Sequence, residues 1–121
     1  MPISREELST QIGELIDCVE RLTMVLQEYK EANVTLDALI ADGTPTIEAL
    51  ERAGAPRARP ELTDALDQFA GTRHSVRLAL LTRAIEEGAS MADAGRAFSL
   101  SRQLVSRMIA EHQQESNQSQ S

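Results

Sequence analysis

The sequence predicts an all-α fold. Apolar residues recur at helical spacing along most of the 121 residues. Serines stand where helix caps belong, at Ser4, Ser90 and Ser101. No stretch alternates polar and apolar residues like a half-buried strand, and no internal repeat is visible.

The first helix is signalled from its start. Ser4 and Glu7 form a capping-box pattern, with Ile3 and Leu8 placed as a hydrophobic staple. Leu8, Ile12, Leu15, Val19, Leu22, Leu26 and Tyr29 then follow at alternating spacings of 4 and 3. This is a heptad pattern, with Leu8, Leu15, Leu22 and Tyr29 at d and Ile12, Val19, Leu26 and Asn33 at a. Branched a residues with Leu at d favour a parallel two-stranded coiled coil, and Asn33 would fix its register. Ile16 and Val25 widen the stripe, as they would in a helix packed on its own chain. A helix over residues 5–32 is about 42 Å long, and few partners of that length exist in the rest of the chain. Self-association through this helix is therefore expected.

Two short helices are predicted next. Thr35 can cap Leu36–Ala41, which Gly43 ends. Thr44-Pro45 opens a second, with Ile47, Leu50 and Ala53 on one face up to Gly54. Residues 55–60, with two prolines and no large apolar side chain, read as an extended linker. From Pro60 a helix carries Leu62, Leu66 and Phe69, and Gly71-Thr72 breaks or kinks it. Val76, Leu80, Leu81 and Ile85 mark another, ending near Gly88. Residues 113–121 are polar and read as a disordered tail.

Composition excludes several functions. Aromatic residues are 2% of the chain (Tyr29, Phe69 and Phe98, with no Trp), which argues against stacking platforms for single-stranded nucleic acid and against a large aromatic pocket. The apolar run Leu78–Leu81 is far short of the ~20 residues that span a bilayer. The first seven residues hold no apolar signal segment. Cys18 is the one cysteine, at a g position, and reads as a small apolar filler rather than a redox switch. A cytoplasmic, non-membrane protein is expected. His74 and His112 stand alone, no phosphate loop or nucleophile–base pair is present, and paired acids such as Glu86-Glu87 read as solvated. The chain is therefore expected to be no enzyme, with no cofactor and no metal.

The net charge of −7 conceals a division. Residues 1–51 carry three basic groups against eleven acids, a net of −8. Residues 73–107 carry six arginines against three acids, a net of +3. Eleven of the twelve basic residues are Arg, which suits bidentate phosphate or guanine contacts; genomic base composition is the alternative explanation and the favoured one.

The most informative segment runs from Ser90 to Ile109. Ser90 can cap a short helix with Asp93 in its first turn, and Ser99-Leu100-Ser101 makes a tight turn before a second helix capped by Ser101. Ala94 and Gly95 supply small residues where the two helices approach. Phe98, Leu100, Val105, Met108 and Ile109 fill the angle, leaving Arg102, Gln103, Ser106 and Arg107 outside.

At these residues the segment resembles a helix-turn-helix DNA-binding motif, and Ser101-Arg102-Gln103-Leu104-Val105-Ser106-Arg107 is similar to the recognition-helix start of lac-repressor-type and resolvase-type proteins. The resemblance covers about 20 residues, extended by the preceding helices to a three- or four-helix unit. Two positions depart from the pattern: Ser99 stands where glycine is usual, and Gly95 where alanine is usual. The resemblance implies that Arg102, Gln103 and Ser106 meet base edges in the major groove. Arg can bond guanine O6 and N7, and Gln adenine N6 and N7. It implies that Arg107 and the N–H groups following Ser90 and Ser101 hold phosphates. Arg96, Arg73 and Arg77 are weaker phosphate candidates.

The predicted organisation is all-α: an N-terminal dimerising helix or helical bundle followed by a C-terminal helix-turn-helix unit. Residues 1–54 form the dimerisation region, 55–60 a linker, 61–112 the DNA-binding domain and 113–121 the tail. The function implied is that of a sequence-specific double-stranded DNA-binding transcriptional regulator, a small dimeric repressor. The alternative is a protein–protein interaction or adaptor module that uses the N-terminal coiled coil.

Overall fold

Among the described residues, helical spacing and caps are realised as five helices: α1 (Arg5–Ala41), α2 (Thr46–Arg52), α3 (Ala55–Glu86), α4 (Met91–Ala97) and α5 (Arg102–Ser119). The computed structural model describes residues 3–119, with side chains through Gln114, and contains no strand among them. No described helix is long and apolar enough to cross a membrane.

The start of α1 follows the capping box. The Glu7 N–H donates to Ser4 Oγ at 3.1 Å, and the Ser4 N–H donates back to Glu7 Oε2 at 3.4 Å. α1 then runs through Thr35, which caps nothing, so the short helix predicted there is the end of α1. A single Thr at mid-helix costs well under ~1 kcal/mol, too little to break a packed helix. α1 stops at Gly43, whose φ of +88° allows the Thr44 N–H to reach the Leu39 carbonyl at 3.0 Å and the Gly43 N–H that of Ile40 at 3.1 Å.

The predicted linker over 55–60 is instead the beginning of α3. Pro56 lies in the first turn, where its missing N–H is not needed. Pro60 withholds one bond from the Pro56 carbonyl, but both prolines are exposed and water can satisfy that oxygen. The Arg57–Glu61 ion pair bridges adjacent turns across this stretch. Nor does Gly71 break α3; a mid-helix glycine costs about 1 kcal/mol relative to alanine. The predicted disordered tail is helical over residues 113–119, where no Gly or Pro interrupts the Gln- and Glu-containing run. Residues 120–121 lie outside the described residues.

The chain divides into two compact units, and neither follows the predicted boundaries at 54 and 60. The central unit is Glu14–Thr72; the terminal unit joins Met1–Gly13 to Arg73–Ser121. In the central unit α1 and α3 pair antiparallel: Cys18 Sγ donates to Thr72 Oγ1 at 3.5 Å, and Arg21 donates to Asp64 Oδ2 at 2.8 Å and to Gln68 Oε1. Rising numbers on α1 thus meet falling numbers on α3. Cys18, Ala49 and Ala65 are its buried apolar residues.

The core of the terminal unit is Leu78, Leu81, Ala94, Val105 and Met108. Ile85, Met91, Phe98, Leu100, Leu104 and Ile109 pack around it. The end of α3, α4 and α5 thus share one set of apolar side chains. Arg83 adds a polar tie: Nη1 donates to the Ile3 carbonyl at 2.8 Å, and Nε pairs with Glu87 at 3.0 Å.

Candidate nucleic-acid interface

The terminal unit presents one helix with an uncovered polar face. α5 begins at Arg102 because Ser101 Oγ accepts from the Leu104 N–H at 3.1 Å, while the Ser101 carbonyl accepts from Val105 at 3.1 Å. Ser90 does the same for α4, accepting from the Asp93 N–H at 3.0 Å. The first amides of each helix, at Met91 and Ala92 and at Arg102 and Gln103, come too early for a partner within their own helix.

Between the two helices the turn closes on its own backbone. The Phe98 and Leu100 N–H groups reach the Gly95 carbonyl at 3.0 and 2.8 Å, and the Ser99 N–H reaches that of Arg96 at 3.2 Å. This is the pattern of a helix C-cap with a left-handed residue at Ser99, whose φ is +58°. Gly95 is buried, and a Cβ built there would meet the Leu100 carbonyl oxygen at 2.6 Å and Val105 Cγ2 at 3.2 Å. Its absent side chain is therefore what lets the turn fold back onto α4.

With α5 pinned by Val105 and Met108, the orientation of the remaining residues follows. At about 100° per residue, Arg102, Ser106, Ala110, Gln103 and Arg107 cover an arc of about 140° opposite those two. All five are exposed. Ser106, Ala110 and Gln103 lie near the middle; Arg102 and Arg107 flank them. Among the described residues neither arginine is in an ion pair, so both guanidinium groups are unspent. Arg96, also singled out by the sequence, is exposed but its guanidinium pairs with Asp93 one turn earlier. Arg73 is exposed, and Arg77 is half-buried with its Nε hidden and unpartnered.

The seven residues of the heptad do not share one environment. Leu8, Leu15 and Leu22 are half-buried, whereas Ile12, Val19, Leu26 and Tyr29 are 36–45% exposed. Leu15, Cys18, Leu22 and Val25 lie on the arc of α1 that turns inward in the central unit. Leu15 and Leu22 of the d row thus turn inward within the chain, whereas Tyr29, also at d, is 40% exposed. Leu66 belongs to an apolar stripe in the sequence yet is 45% exposed on α3, and Arg21 pairs with Asp64 across the two helices. Neither has a local signal, because each depends on which helix lies alongside.

No family model, curated protein or solved structure matches the chain.

Proposed function

We propose that the chain is a sequence-specific double-stranded DNA-binding protein, acting as a small dimeric transcriptional regulator. The observation that carries this reading is the outward face of α5: two arginines, in no ion pair among the described residues, flank Gln103 and Ser106 on a helix whose other side is locked in a core. Such a helix can enter the major groove with its N-terminal residues toward the base edges. Arg102 supplies a bidentate donor for guanine O6 and N7, Gln103 a donor–acceptor pair for adenine N7 and N6, and Ser106 a short hydroxyl for either. Arg107 and the early amides of α4 and α5 would hold phosphates and set the register. The arginine-rich segment 73–107 offsets the acidity of the chain where the phosphates would approach.

Selection of bound duplexes from a random library tests this directly. An enriched sequence, lost when the exposed face of α5 is neutralised, supports the reading. Recovery of unselected DNA only, or of none, removes it. The exposed apolar residues of α1 favour a second reading, an adaptor that binds another protein through that helix. DNA binding that is weak, non-specific and independent of α5 would favour the adaptor.

A further inference from the structure

The surface of α1 between Leu15 and Glu31 divides into three sectors. At about 100° per residue, Leu15, Cys18, Leu22 and Val25 occupy an arc of about 80° turned into the central unit. Asp17, Glu20, Glu28 and Glu31 lie on the far side, all exposed. Between them an arc carries Ile16, Val19, Thr23, Leu26 and Lys30. Ile16 is 53% exposed, and Val19 and Leu26 are each 45% exposed. Lys30 is the one charge in this arc.

α3 continues that face. Asp64 and Gln68 bond Arg21, closing one edge of the helix pair. Leu66 projects about 200° from Asp64, on the opposite side of buried Ala65. It lines an open groove of about 650 Å³ together with Asn33 and Leu62. The helix pair therefore has a polar edge at Arg21–Asp64 and an apolar face at Val19, Leu26 and Leu66.

From this asymmetry we infer that the central unit pairs with a second copy of itself through Ile16, Val19, Leu26 and Leu66, giving a four-helix interface rather than a two-stranded coiled coil. The inference rests on the dimeric reading above and names its surface. Charge selects the occupant. A strongly basic or acidic partner would find only Lys30 on this arc and no row of counter-charges, whereas a second copy would bring the same mostly apolar face and keep its acids turned away. The seven-residue step from Val19 to Leu26 also repeats along an identical helix, so the rows of two copies can interdigitate.

Sedimentation of the full chain tests the inference. The wild-type chain is expected to be dimeric at tens of micromolar. Val19→Lys with Leu26→Lys, and separately Leu66→Lys, should each weaken the dimer by about a hundredfold or more. Helix content by circular dichroism should hold, because these side chains are already exposed in one chain. Met24→Lys, on the acidic side, should leave the dimer intact. A monomeric wild-type chain overturns the inference, as it would if this face took a different protein. So does a Leu66→Lys dimer of wild-type strength, since α1 alone would then form the seam. A monomer that still selects a DNA sequence overturns only this interface, and a dimer without sequence preference overturns only the DNA reading.

Discussion

Gly95 and Leu100 are in contact through their backbones: the Leu100 N–H bonds the Gly95 carbonyl at 2.8 Å, and the Leu100 carbonyl oxygen occupies the space where a Gly95 Cβ would begin, 2.6 Å away. Alanine is the better helix former by about 1 kcal/mol, yet this closeness forbids it. Gly95→Ala is expected to destabilise the fold, because pushing the turn away from α4 costs about 1–3 kcal/mol. Urea denaturation of the variant checks this; equal or greater stability would show that the turn yields freely.

Gly71 is the counterexample within the same chain. It is helical, and no atom beyond its own helix lies within 4 Å of the position a Cβ would take. Gly71→Ala should therefore raise stability by about 1 kcal/mol, the opposite sign to Gly95→Ala. A melting temperature at or below wild type would mean that this part of α3 needs the glycine for another reason.

Ser99 holds a left-handed conformation without the freedom of glycine. Ser99→Gly should stabilise by about 0.5–1 kcal/mol, the relief at a positive φ less the greater entropy of an unfolded glycine. Ser99→Val should lose stability, since a β-branched side chain at this φ is more strained. Comparing the two variants with wild type in denaturant separates strain from a role of the hydroxyl.

Arg102 and Arg107 flank the exposed face of α5, and the DNA reading gives them different work. Arg102→Ala is expected to cost about 1–3 kcal/mol on the selected site and to relax preference at one base pair. Arg107→Ala should weaken specific and scrambled DNA alike and flatten the salt dependence by about one unit of slope. Ser106→Ala should have a smaller effect than either. Titrations on both DNAs at several salt concentrations read all three. No change with either arginine variant would mean that α5 does not enter a groove.

Much of this molecule is legible along the chain. Helical periodicity announces an all-α fold, and the caps at Ser4, Ser90 and Ser101 form where local pattern places them, because each involves atoms three residues apart. The outward position of Arg102, Gln103, Ser106 and Arg107 follows from the apolar spacing of Val105 and Met108. The tight turn at Ser99 is also a short-range event.

Tertiary structure decided what local signals could only suggest. Thr35, Pro60 and Gly71 each weaken a helix by an amount that packing along α1 and α3 outweighs, so predicted breaks became continuous helix. The heptad spacing of α1 is the same whether its partner is α3 or another chain, and only the antiparallel pairing sends Leu15 and Leu22 inward while leaving Val19 and Leu26 outside. Gly95 was visible as a small residue, but that it admits no methyl group at all depends on the Leu100 carbonyl folding back over it. Sequence determines which faces are apolar and where helices begin; which apolar face is filled, and how close two backbones come, is settled by non-local contacts whose energies exceed local propensity.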